Sequence, residues 1–137
     1  SQWYTEFVST AVATRISGLT AVRIALLTSS YTPDKDHNFF DDVSANEVVG
    51  TGYTAGGQAV TITPTYDAAN DRVDYQISST SWTTATITAR YAVIYDNTAG
   101  ASSTDPLIFL VDFGSNIVST GGTFTVPALT APFRITN

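Results

Sequence analysis

Apolar residues recur along this chain in two rhythms. In residues 1–18, Trp3, Phe7, Val8, Ala11, Val12 and Ile16 fall at three- and four-residue steps, the spacing of one helix face. Gly18 follows the last of them, where a helix end favours glycine. Thr and Val are also frequent there, as in an extended arm. The pattern therefore predicts a short N-terminal helix or arm over residues 1–20.

Beyond residue 20 the rhythm is two. Residues 21–28 predict a strand with Val22, Ile24 and Leu26 on one face and Arg23 on the other. Val60, Ile62 and Tyr66 alternate in a second strand, whose far end Pro64 confines to an edge or a bend. Asp67-Ala-Ala-Asn70-Asp71 is a turn, because Asx side chains close their own backbone. Val73, Tyr75 and Ile77 then alternate in a third strand. Residues 84–96 predict a long strand. Ala85, Ile87, Ala89, Tyr91, Val93 and Tyr95 face one way, with Thr86, Thr88, Arg90, Ala92 and Ile94 opposite. Residues 107–113 are almost continuously apolar, as in a strand buried on both faces. Gly114 and the Gly121-Gly122 pair mark a turn region, 123–126 a short strand, and 133–136 a closing strand.

Between these strands, residues 29–50 form a long loop rich in Asp, Asn and Ser, with a helical turn predicted over 43–49. A loop of that length in a compact domain is usually functional or carries its own short elements. Thr51-Gly-Tyr-Thr-Ala-Gly-Gly57 is turn-rich. Short strands at such spacing predict one mainly β domain over residues 1–137, a β-sandwich or jelly-roll-like barrel over 21–137 preceded by the helix or arm.

Composition narrows what such a domain can do. The chain has 137 residues and no cysteine, which excludes disulfides, thiolate metal sites and thiol catalysis and fits folding in a reducing cytoplasm. Charged residues make up 13%, so Ser, Thr and Asn must cover much of the surface. Hydroxyl-rich surfaces are cheaper to desolvate than ionic ones, which favours contact with neighbouring proteins. An ordinary extracellular β-domain has the same composition. The net charge is −6, and Arg15, Arg23, Arg72, Arg90 and Arg134 are scattered singly. Nucleic-acid and anionic membrane partners need clustered cations, so neither is expected. No apolar run reaches the length of a membrane span, and no signal-peptide succession is visible.

The chemistry-bearing residues are few. His37 is the only histidine, in a loop crowded with Asp, and no Gly-x-Ser-x-Gly elbow exists. Glu6 and Glu47 are the only glutamates, and most Asp lie in turns. A weak glycosidase would need two of these acids brought together. Asp34-x-Asp36-x-Asn38 opens like a calcium loop, but Phe39 stands where glycine is required and Ala45 where a bidentate Glu is required. That excludes an EF-hand and leaves a looser calcium site among Asp34, Asp36, Asp41 and Asp42 beside the simpler reading of a solvated acidic loop. No phosphate-binding glycine motif is present. The expectation is a protein without catalytic residues, cofactor or metal. Its aromatic residues Trp3, Tyr4 and Phe7 near the N-terminus, and Phe39 and Phe40 in the acidic loop, are candidate anchors in a protein interface. Trp82 is assigned to the core.

Several blocks, in order, resemble a group of small proteins of tailed bacteriophages. They are Ile24-Ala-Leu-Leu-Thr-Ser-Ser-Tyr-Thr-Pro-Asp34, His37-Asn-Phe39, Asp42-Val-Ser-Ala-Asn-Glu-Val48 and Gly50-Thr-Gly-Tyr-Thr-Ala-Gly-Gly57. Asn70-Asp-Arg72, Thr86-Ile-Thr-Ala-Arg-Tyr-Ala-Val-Ile-Tyr95, Pro106-Leu-Ile108 and Asp112-Phe-Gly114 follow. The resemblance covers about residues 22–125. It implies a virion structural protein, and within that class a capsid decoration (cement) protein, commonly a homotrimer, on the outside of the head. The partners it implies are the major capsid protein and copies of itself. A tail, baseplate or head-fibre component is the alternative within the virion, and a carbohydrate-binding module is the alternative outside it. Residues 1–20 and those after 126 depart from the pattern.

Overall fold

The computed structural model describes residues 2–3, 19 and 21–136. Its strands are β1 (Gln2–Trp3), β2 (Val22–Leu27), β3 (Gln58–Val60), β4 (Ile62–Asp67), β5 (Arg72–Ile77), β6 (Thr80–Asp96), β7 (Leu107–Val126) and β8 (Leu129–Thr136). One short helix, α1 (Asp41–Ser44), lies in the long loop. The strands form two antiparallel sheets, ordered β1-β7-β6-β2-β3 and β4-β5-β8. The mainly β class follows the sequence pattern, and two sheets sharing a core are consistent with a β-sandwich. They stay open, so the described strands do not make the closed barrel that the pattern also allowed.

Three stretches of chain run through both sheets. β3 passes into β4 across Thr61, β5 into β6 across Ser78 and Ser79, and β7 into β8 across Pro127 and Ala128. At the first two crossings the chain holds itself: Ser78 N donates to Thr61 O at 3.0 Å and Thr61 N to Ser78 Oγ at 3.0 Å. Pro127 has no N–H to give a ladder, which suits the point where β7 stops. β4 carries Pro64 and is the outer strand of the smaller sheet, as that proline requires.

The larger sheet is buried on both sides along part of its length. Val22, Ile24 and Leu26 of β2 join Val60, Ile77, Trp82, Ile94, Ile108 and Phe124 in one apolar cluster. Ala25 and Leu27, on the alternate face, join Tyr91, Val93, Tyr95, Leu107 and Leu110 in a second, closed by Tyr31, Phe40 and Val43 of the long loop. The loop is thus the cover of one sheet face. Its helix forms at Asp41–Ser44, earlier than the 43–49 turn expected, where Val43 is fully buried.

Two expectations for the long strands are corrected. β6 begins at Thr80 and does not alternate strictly. Trp82, Ala85, Ile87, Ala89, Ala92 and Ile94 share one cluster, so the facing slips by one residue after Trp82 and again after Ala89. Tyr91, Val93 and Tyr95 consequently point away from Ala85, Ile87 and Ala89. The first slip coincides with Thr84 at φ 49, left-handed backbone that β-branched residues rarely adopt. At the second, Ala89 pairs with Ile117 but Tyr91 pairs with Asp112. β7 therefore carries additional residues there, with Gly114 at φ 81. The second correction is that residues 107–126 form one strand. Gly114, Gly121 and Gly122 bend it and do not end it.

Of the N-terminal helix or arm, Gln2 and Trp3 are strand, paired antiparallel with Leu110 and Phe109 of β7. Residues 4–18 and 20 lie outside the described residues. Among the described residues no helix is long and apolar enough to cross a membrane.

Candidate interaction surface

The best-built polar cluster of the described residues ties the loop after β2 to that strand. Glu47 accepts from the Tyr53 hydroxyl and from Gly56 N, both at 2.6 Å, and the Tyr53 oxygen in turn accepts from Leu26 N at 3.0 Å. Arg23 donates from Nε to Gly56 O at 3.1 Å and from Nη2 to Gly57 O at 2.6 Å, while Tyr95 donates to Gly56 O at 2.7 Å. Burial pushes the Glu47 carboxyl above its ordinary value, against the pull of its two donors and of Arg23. The Tyr53 phenol is driven far up, first by burial and then by the carboxylate it serves. Glu47 Oε1, the Tyr53 and Tyr95 hydroxyls and Arg23 Nε and Nη2 all bond to the chain itself, so the cluster works as a clasp. Sequence reading missed it because Arg23, Glu47, Tyr53 and Tyr95 are remote in sequence. The visible signal was a lone glutamate ahead of a glycine-rich turn.

The acidic loop forms an open hollow of about 400 Å³ lined by residues including Tyr31, Asp34, His37, Asp42 and Asn46. Tyr31 Oη and His37 Nδ1 share a hydrogen bond of 3.0 Å. Asp42 Oδ2 accepts from Asn38 N and Phe39 N at 2.8 and 3.0 Å, and these donors hold its carboxyl below the usual range. Asp34 Oδ1 accepts from Asp36 N at 2.9 Å. The acids thus close turns of their own loop. Among the described residues no three metal-binding side chains converge.

The aromatic anchors expected from sequence have different fates. Tyr4 and Phe7 lie outside the described residues, and Trp3 is placed by its backbone in β1. Phe39 is half-buried and bridges to Pro106. Phe40, expected as an anchor for a neighbour, is instead buried and stacked on Tyr95, with ring centres 4.2 Å apart. The loop folds it down onto the sheet, where it helps to cover the second apolar cluster. Trp82 is 2% exposed and packs on Tyr53 and Phe124, in the core as assigned.

Exposed apolar surface sits elsewhere. Among the described residues the large exposed hydrophobic side chains are Val49, Ile117 and Val118, the last at 62%. Ile117 and Val118 lie in the part of β7 that had been expected to turn. From Asp112 to Thr123 only Phe113 and Ser119 are even half-covered. β6 supplies Thr83, Thr84, Thr86 and Thr88 beside them, also exposed, with Val118 directly across from Thr88. No charged residue occurs between Asp74 and Arg90 or between Asp112 and Arg134. This half of the sheet is therefore a neutral, hydroxyl-rich surface with apolar side chains in it.

Comparison with known protein families, with curated proteins and with solved structures finds no match. Several of the sequence blocks quoted above have clear structural work. Glu47 and the Gly50–Gly57 turn make the clasp. Arg90 and Asp112, from two further blocks, pair at 2.9 Å across the slip, where Asp112 Oδ1 also accepts from Gly114 N at 2.8 Å. Arg72 of the Asn70-Asp-Arg72 block lies 3.3 Å from both Asp67 and Asp74 at the hairpin end. These are the positions at which the fold makes its unusual turns.

Proposed function

We propose that this chain is a non-enzymatic structural component of a virus particle. The role within it is that of a decoration protein packing on the outside of a phage head, against the shell protein and copies of itself. The observation that carries the reading is the neutral, Thr- and Ser-rich half-sheet of β6 and β7, exposed on a chain whose net charge is −6. Burying hydroxyls against a neighbour costs far less than burying ions. The same acidity disfavours the genome side of a shell, where phosphate repels it. The ordered blocks over residues 22–125 support the same class of protein. The carbohydrate-binding alternative would need an exposed aromatic platform, and Trp82, buried in the core, cannot stack on a sugar.

The test is to add purified protein to expanded, DNA-free phage heads and to image the particles. The expected result is saturable binding in a copy number set by the shell lattice, and shells that rupture at higher temperature when it is bound. Density on the tail or baseplate in place of the shell would move the protein to another part of the virion. Absence from every particle would end the reading.

A further inference from the structure

We draw no further inference here: the strongest candidate, the open hollow of the acidic loop lined by Tyr31, Asp34, His37 and Asp42, is a cluster of acidic residues whose carboxylates already close turns of their own loop, and nothing in the structure shows what it would hold.

Discussion

A Cβ at Gly57 would lie 1.7 Å from the carbonyl oxygen of Ile24, while one at Gly114 would meet nothing within 4 Å. Both glycines have left-handed backbone, so the two sites separate strain from collision. Gly114→Ala is expected to cost about 1–2 kcal/mol from conformation alone, read as a lower midpoint in urea. Gly57→Ala should prevent stable folding, because β2 must move for the loop to dock. At Glu47 the folded chain binds its proton more tightly than the unfolded chain does, so the protonated form favours folding. That contribution is complete below the ordinary value of 4.5 and is lost as pH rises through the higher folded value. Asp42, Asp67 and Asp112 have the opposite sign: their stabilisation exists above the ordinary 3.8 and is lost as pH falls. Glu47→Gln, which keeps an acceptor for Tyr53 and Gly56, should therefore abolish the fall in stability just above pH 4.5 and leave the acid limb. Thermal melts across pH would check this; an unchanged profile would mean that Glu47 does not titrate in that window.

Strand existence was legible in the sequence, and strand continuity was not. Period-two alternation located β2, β5 and most of β6, because side chains on a half-buried strand must alternate. It misplaced Tyr91, Val93 and Tyr95, since a slip of one residue reverses every facing beyond it. Only the ladder with β7 revealed that slip. Gly114, Gly121 and Gly122 read as a turn because glycine marks turns and bulges alike. The long loop was recognised as unusual, but its role as a lid depends on Phe40 and Val43 meeting Tyr95 and Leu110 across the sheet. Phe40→Ala is expected to cost about 3–5 kcal/mol, the range for a large buried aromatic. It should also speed proteolysis within residues 29–50 ahead of the rest of the chain. A variant as stable and as resistant as the parent would show that the lid is not fastened by that ring.

At the scale of the whole molecule, charge is unevenly distributed. Acidic residues close turns in the long loop and flank the hairpin between β4 and β5, whereas the lower half of β6 and β7 has none. One surface is thereby left open to close contact in a chain that otherwise repels its like. If that surface is used in a particle, Thr83→Glu with Thr88→Glu, both exposed and well apart on β6, should weaken binding to heads by tenfold or more without changing the melting temperature of the free protein. A matched pair of glutamates at exposed Thr63 and Thr65 of β4 should have no such effect, and equal loss at both places would mean that bulk charge governs binding.

By itself the sequence determined the mainly β class of fold and the buried place of Trp82. Each of these follows from local periodicity or from composition, which need no knowledge of what lies opposite. Tertiary structure alone decided that Phe40 is a lid residue, that Arg23, Glu47, Tyr53 and Tyr95 form a clasp, and that β7 continues past its glycines. Those outcomes depend on register between strands far apart in the chain. Register is chosen by the packing of both partners at once, so neither strand specifies it alone.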